Sequence, residues 1–420
     1  MGRRIIFHVD VNSAFLSWEA CYRKEILGET IDLRDIPSAV GGDRQQRKGV
    51  ILAKSIPAKK YDIQTGEPIV SALKKCPKLV IVEPRFELYK KCSAAFIEIL
   101  KEYSPVVEQY SIDEAFMDMT GTEGLFGEPV GIAHVIKDRI YKELGFTVNI
   151  GIGENKLLAK MAGDFKKPNL VHTLFPEEIE AKMWPLPVRD LLFVGKSTEK
   201  ALKLLGIHTI GQLAHADVKQ LKRYLKSQGE SIYKHANGID DSEITAVVTE
   251  NKGYSNATTI PYDVDSIENA KPVLLSVCET VGARMRADGK EASCVAVSIV
   301  DYEFNHSSKQ MTLLSATCGT QELCEYACKL YEQLWDHHTP IRQIGVHVTK
   351  LSDRKIHQMS LFEQINLFET PKEKQKQSTS FQRDILKKER MKKLDSTIDA
   401  IREKYGEDAI KRATFLKSKS

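Results

Sequence analysis

Asp10, Asp113 and Glu114 are the residues of this chain best suited by type and setting to do chemistry. Asp10 ends the apolar run RIIFHVDV at 4–11, and the other two sit side by side in YSIDEAFMD at 110–118. An isolated Asp is usually a turn or cap residue, and an isolated Asp-Glu pair is usually solvated. Here the flanking residues are Ile, Val, Ala, Phe and Met, so solvation does not explain all three. Successive residues on a strand point to opposite faces, and a buried carboxylate without a partner neutralises or destabilises. Something positive must meet these acids. Hard divalent cations such as Mg²⁺ take oxygen ligands and usually keep water or substrate phosphate in their remaining positions. Two such ions, roughly 3.5–4 Å apart, can activate one oxygen and stabilise another during an in-line displacement at phosphorus.

The elements that must position the acids can be read from periodicity. Ile5, Phe7, Val9 and Val11 alternate with Ile6, His8 and Asp10, which gives a buried strand ending in an acid. A helix follows over 13–27, then a short strand over 49–53 and the basic segment KSIPAKKYDIQTGEP. A helix is expected over 88–103. SPVVEQYSIDEAFMDMTG then reads as a strand, a tight reversal at the acids and a returning strand, so neighbouring side chains converge on one side. Helix 132–143, strand 147–152 and helix 154–165 complete a mixed sheet covered by helices. Short helices run from the proline-broken WPLPV at 184–188 to about residue 241. A second α+β unit follows in the order βαββαβ, with strands over 254–261, 293–302, 310–316 and 341–348 and helices over 269–287 and 322–335.

At 420 residues the chain requires several domains. A hydrophobic fraction of 42% with 28% charged residues fits a globular protein rather than a disordered or membrane one. No apolar run approaches the ~18 residues of a membrane span, and the amino terminus does not read as a signal peptide, so a cytoplasmic protein is expected. The eight cysteines form no CxxC pair and no metal-ligand spacing, and are read as reduced, buried small residues. Net charge is only +4, but residues 371–420 hold fifteen Lys/Arg against eight Asp/Glu. That basic tail is read as flexible when free and able to order on a partner.

HVDVNSAF at 8–15, YSIDEAF at 110–116 and KKPN at 166–169 resemble, in order and spacing, the signatures of Y-family (DinB/UmuC-type) translesion DNA polymerases. The likeness runs to about residue 350, and the terminal segment is similar to that of UvrX-like members. It implies an α+β, multidomain right hand: a ferredoxin-like palm over 1–14 and 78–174, small fingers over 15–77, a helical thumb over 175–241 and a βαββαβ little finger over 250–352. A clamp-binding and basic tail would occupy 353–420. By resemblance, Asp10, Asp113 and Glu114 hold two Mg²⁺ ions, and the carbonyl of Val11 adds an oxygen. Ser13, Ala14, Phe15, Ser55, Lys59 and Lys167 fall at nucleotide-binding positions, with Phe15 as the steric gate that excludes a ribose 2′-hydroxyl. Ile56 and Lys59 depart from the family's common tyrosine and arginine in SIPAKK, and a lysine keeps the charge without the bidentate fork.

VGKST at 194–198 lacks the first glycine of a phosphate loop, because residue 190 is Asp190. It reads better as a helix-hairpin-helix in which Gly195, Lys196 and Ser197 start a helix whose amides meet a DNA phosphate. GIGENK at 151–156 likewise fails the dinucleotide pattern, since Lys156 replaces its last glycine. QMSLF and QINLF resemble bacterial sliding-clamp-binding pentapeptides, which would use Gln358, Leu361 and Phe362 in one copy and Gln364, Leu367 and Phe368 in the other. The two copies overlap too closely to dock together on one pocket.

The expectation is therefore a monomeric DNA polymerase for translesion synthesis that adds dNMP units to a primer 3′-hydroxyl on primer-template DNA. It would use dNTPs and Mg²⁺, work without proofreading and with low fidelity, and be recruited by the sliding clamp. The alternative is a catalytically silent DNA- and clamp-binding repair adaptor, which predicts a broken acid set. A nucleotidyl cyclase on a palm fold is a further rival, but it has no need of the thumb, the second α+β unit or a clamp peptide.

Overall fold

A computed structural model describes residues 3–42, 49–247, 250–353, 374–406 and 408–413, with side chains in the last long helix described from residue 390 onward. The described residues form two compact units, one within 3–247 and the other within 250–413.

Along the first unit the elements are β1 (Ile6–Val11), α1 (Ala14–Glu25), β2 (Ser38–Gly41), β3 (Ile51–Lys54), α2 (Ile56–Lys59), α3 (Ile69–Lys75), β4 (Val80–Val82) and α4 (Phe86–Lys101). They continue with β5 (Val107–Gln109), β6 (Glu114–Asp118), α5 (Glu123–Phe126), α6 (Pro129–Leu144), β7 (Val148–Gly153), α7 (Lys156–Asp164) and β8 (Val171–Leu174). Short helices α8 (Ile179–Lys182), α9 (Lys196–Leu204), α10 (Ile210–Ala214), α11 (Val218–Leu225) and α12 (Ser227–Ala236) follow.

The main sheet has the order β5-β6-β1-β7-β8, with β1 central and antiparallel to both neighbours. All six residues of β1 are buried, as expected of a strand covered on both faces. On one side Phe7, Val9 and Val11 pack with Phe96 and Leu100 of α4 and Ile132 and Ile136 of α6. On the other side α7 lies close to the strands because β7 carries two glycines. A Cβ at Gly151 would stand 2.0 Å from the Ala159 carbonyl oxygen, and one at Gly153 would stand 2.7 Å from the Ala159 nitrogen. GIGENK is thus a helix-packing signature rather than a nucleotide loop. A smaller sheet, β3-β2-β4, pairs β2 with β4 in parallel, and Ala39, Ile51, Ile63 and Ile69 form its core. The helices α8–α12 enclose a separate core built on Met183, Leu202, Leu213 and Ile232.

The second unit contains β9 (Gly253–Val264), α13 (Ile267–Ala287), β10 (Lys290–Asp301), β11 (His306–Thr317), α14 (Thr320–Leu334) and β12 (Ile341–Asp353). Its antiparallel sheet has the order β11-β10-β12-β9, and Val295, Val297, Ile344 and Val346 meet Val277, Val281, Leu323 and Tyr331 of the two helices. The βαββαβ order matches the sequence expectation, with strands longer at one or both ends.

The tail departs from expectation. Residues Lys374–Tyr405 form α15, and its final turns dock on α13 and α14. Arg286 of α13 donates two hydrogen bonds to Asp399, at 2.6 and 3.0 Å. Asp395 accepts from the Thr320 amide at 2.8 Å and from Arg412 at 3.0 Å, while Glu279 accepts from Arg402 at 3.3 Å and from Arg412. Three arginines and three acids therefore close a cluster in which each charge has a partner. The sequence reading took the tail as flexible when free and able to order on a partner, whereas charges of α13, more than a hundred positions away, neutralise and order its described part within the chain. Gln358, Leu361, Phe362, Gln364, Leu367 and Phe368 lie outside the described residues. Among the described residues no helix is long and apolar enough to cross a membrane.

Candidate active site

Strand register brings the acids together. Asp10 on β1 stands directly opposite Glu114 on β6, and the Val11 amide donates to the Asp113 carbonyl at 3.0 Å. The reversal before β6 is fastened by the Tyr110 and Ser111 amides, which both donate to the Glu114 carbonyl, at 3.0 and 3.1 Å. Asp113 is thus the last residue of the turn and Glu114 the first of the strand.

Each acid has a different environment. Asp10 is 7% exposed and is paired with Lys167. Burial raises its pKa above the usual carboxylate value, and Lys167 only partly opposes this. For Lys167 burial would lower the pKa, but Asp10, helped by Asp164 at 2.9 Å, raises it. The loop carrying Lys167 is fixed by Asn149, the β7 residue opposite Asp10, which is fully buried. Its amide nitrogen donates to the Lys166 carbonyl at 2.7 Å and its oxygen accepts from the Leu170 amide at 3.3 Å. Glu114 accepts from Lys160 of α7 at 2.7 Å and lies 3.5 Å from His8 Nε2. Burial alone would raise its pKa, but His8 and Lys160 outweigh that and hold it at about 2. The His8 approach is long, and neither ring nitrogen has a hydrogen-bond partner among the described residues. It is a polar contact rather than a hydrogen bond. Asp113 accepts from the Ser111 hydroxyl at 2.7 Å.

Asp10, Val11 and Asp113 line a cavity of about 610 Å³, together with Ser13, Ala14 and Phe15. Ser13 has φ 50° and ψ 49°, a left-handed conformation uncommon for a residue with a Cβ, and it turns the chain from β1 into α1. The start of α1 consequently borders the cavity, where helix amides and the dipole favour an anion. The Phe15 ring is stacked on Tyr89 at a centroid distance of 4.8 Å, with Phe86 and Trp18 at 6.0 Å. Tyr89 is itself fully buried and donates to Glu19 at 3.1 Å, so this wall of the cavity is braced from behind.

The rest of the lining comes from β3, α2 and the following turn: Leu52, Ala53, Lys54, Lys59, Ile63, Gln64 and Thr65. Lys59 is among them. Ser55 is not. Its hydroxyl donates to the Ile36 carbonyl at 2.7 Å and accepts from the Ala58 and Ser38 amides, capping α2 from a site 1% exposed. Glu114 and Lys167 also stand back from the lining, next to Lys160 and Asp10 respectively. Gly195 is the N-cap of α9, with Lys196 and Ser197 as its first residues. His8, read from the sequence as packed beside the strand, is fully buried, whereas sequence reasoning missed Lys54, Lys160 and Asn149. Only Lys54 carried a usable signal, since strand alternation puts it on the same face as Leu52.

Among the described residues no three His, Cys, Asp or Glu side chains gather into a ready-made metal cage. Two carboxylates and a backbone position facing one cavity, with a third carboxylate adjacent, nevertheless suit Mg²⁺, which needs few protein ligands when substrate phosphate supplies the rest.

Models of the impB/mucB/samB family match residues 9–164, that family's HHH motif matches 176–207, and its C-terminal domain matches 251–361. The chain belongs to this family, the Y-family translesion DNA polymerases. As a member it is a DNA-directed DNA polymerase, a nucleotidyltransferase. The chain is 43% identical over 414 residues to DNA polymerase IV of Clostridium acetobutylicum, covering 98% of each protein. It is 34% identical over 424 residues to DNA polymerase IV 2 of Bacillus subtilis, covering 99% of this chain and 95% of the relative. Among solved structures, a Y-family DNA polymerase chimera, Dbh-Dpo4(243-245)-Dbh, superposes with a TM-score of 0.72 at 21% identity over 82% of this chain and 98% of the other. That likeness establishes the fold.

Proposed function

We propose that this polymerase extends a primer at the cavity bounded by Asp10, Asp113 and Phe15, on primer-template DNA with dNTPs as substrates. The carrying observation is that cavity, lined both by the buried or half-buried carboxylates Asp10 and Asp113 and by the cations Lys54 and Lys59. The primer 3′-oxygen bonds to the α-phosphorus, the bond to pyrophosphate breaks and the hydroxyl proton leaves. Asp10, Asp113, Glu114 and the Val11 carbonyl would hold divalent ions, two Mg²⁺ in our reading. Such ions would supply Lewis acidity toward the hydroxyl and neutralise the triphosphate.

The chain's own groups do the rest. The amides at Ser13, Ala14 and Phe15 and the Lys59 ammonium receive the triphosphate. The Phe15 ring, unable to retreat from Tyr89, leaves no room for a 2′-hydroxyl. Lys160 and Lys167 balance the carboxylates before substrate arrives, and Lys167 turns from Asp10 toward phosphate afterwards. Ser55 supports this wall as the cap of α2 rather than as a direct contact. At α9, Gly195, Lys196 and Ser197 meet a DNA phosphate.

The palm, fingers, thumb and little finger boundaries given above are part of this proposal, as are low fidelity, a monomeric state, a cytoplasmic location and recruitment through Gln358, Leu361 and Phe362 or Gln364, Leu367 and Phe368. A primer-extension assay with Mg²⁺ tests the core of it. Asp113→Ala combined with Glu114→Ala should reduce incorporation by at least ~10³-fold, and incorporation that survives would remove the assignment.

A further inference from the structure

Lys54 is a cation that none of the nucleotide-site expectations included. It ends β3, where Ile51 and Ala53 are buried and Leu52 and Lys54 are partly exposed, and Leu52, Ala53 and Lys54 all line the cavity. Its ammonium donates to the Ile63 carbonyl, which holds the side chain along the wall and leaves two N–H groups uncommitted. Lys59 enters the same cavity from α2 one turn later.

The lysines around this site divide into two kinds. Lys156, Lys160 and Lys167 each hold a carboxylate at hydrogen-bond distance or closer: Glu108, Glu114 and Asp10. Among the described residues Lys54 and Lys59 hold none. Burial, followed by the field of Lys59, lowers the Lys54 pKa, and the fields of Glu67 and Asp62 only partly oppose this. Two like charges placed in one cavity, neither of them paired with a carboxylate at hydrogen-bond distance, are unfavourable unless a ligand supplies the anion. Asp10 and Asp113 line the same cavity, which the start of α1 also borders. The cavity therefore offers both the cations that suit a triphosphate and the carboxylates that suit its counter-ions.

We propose that Lys54 is a second phosphate-binding cation of the nucleotide site, working beside Lys59 and providing as two separate point charges what one bidentate guanidinium would provide. This rests on the active-site reading above. Lys54 then contacts the triphosphate and not the base, so its contribution is the same for every incoming nucleotide.

Steady-state single-nucleotide incorporation on saturating primer-template distinguishes the possibilities. Lys54→Met keeps the length of the side chain and removes its charge. It should raise KM about tenfold for each of the four dNTPs, with kcat changed less than ~3-fold, as expected for loss of one charge-assisted hydrogen bond. The inhibition constant for inorganic pyrophosphate should rise in parallel, and Lys54→Arg should restore most of both. A thermal melt equal to wild type shows that β3 is intact; if Lys54→Met melts early, Lys54→Gln replaces it in the same assays. Unchanged KM values, or a rise confined to one or two bases, would overturn the proposal while wild-type extension that depends on Asp113 and Glu114 leaves the active-site reading standing.

Discussion

Asp10 in the first unit and Asp395 in the second are both almost fully buried carboxylates held by basic side chains, and they differ in what lies beyond the pair. Asp10 is 7% exposed and borders a cavity, and its lysine partner has a second acid, Asp164, to fall back on. Asp395 is 1% exposed, and its partners Arg412 and Arg286 are shared with Glu279 and Asp399 in a closed set. The first arrangement allows partners to be exchanged when a substrate brings its own charge. The second leaves no charge unpaired, although Glu279, Arg286, Asp399 and Arg402 border a cavity of about 1220 Å³. Arg286 shows the difference: burial would lower its pKa, yet Asp399 and Asp395 hold it above the ordinary arginine value. Similar ion-pair chemistry thus serves a site in one region and a clasp in the other, and the decisive variable is how completely each charge is already matched within the protein.

Removing one member of each pair gives the largest separation. Asp395→Ala leaves buried arginines and the Thr320 amide without their acceptor, and breaking a buried pair on one side costs about 3–5 kcal/mol. Urea unfolding should show that loss. Asp10→Asn should abolish primer extension and yet shift the urea midpoint little, because the burial that disfavours the Asp10 charge roughly offsets the attraction Lys167 supplies. If Asp10→Asn destabilises as strongly as Asp395→Ala, the distinction between exchangeable and closed pairs fails.

Within the site itself the carboxylates separate by sign. Glu114 is held at about 2, below its ordinary 4.5, so its favourable contacts exist above pH 4.5 and disappear as pH falls toward 2. Glu114→Gln should therefore destabilise the chain by about 2–3 kcal/mol at pH 7 in EDTA, with the difference from wild type narrowing below pH 4.5. Asp10, whose pKa is raised, contributes in the opposite sense: its ionisation weakens the fold as pH rises from its ordinary 3.8 to its higher folded value. Parallel pH series of urea midpoints for Glu114→Gln and Asp10→Asn check this. Two curves that bend the same way would show that both acids lie in equivalent surroundings.

The contrast also explains what the sequence could reveal. Period-two alternation around Asp10, together with the hairpin signal at the adjacent acids, was enough to locate the strand ends and to bring three carboxylates together. That information is local. Lys160 and His8, which meet Glu114, become neighbours only through the packing of α7 on the sheet, and Asn149 fixes the Lys167 loop from the strand on the other side of β1. The clasp was less legible still. Its acids and arginines look like solvated charges until Asp399 is set beside Arg286 and Arg412 beside Glu279, separations of 113 and 133 positions. Ser55 shows the reverse: a residue suited by type to a phosphate is spent instead as a helix cap.

Lys392 gives the smallest effect and the finest test of access. It approaches Glu291 at 3.5 Å from a side chain 40% exposed, while Glu291 itself is 8% exposed. The pair lies at the edge of the same docking surface, but Lys392 keeps its water and Glu291 also accepts weakly from the Cys318 thiol. Exposed pairs contribute ~0–1 kcal/mol because desolvation is slight and solvent screens them. Lys392→Ala should accordingly change the urea midpoint by less than ~0.5 kcal/mol equivalent, and amide exchange in residues 395–405 should be unaltered. A cost approaching that of Asp395→Ala would mean that the edge of the clasp is as closed as its centre, and that burial of one partner is sufficient to make an ion pair indispensable.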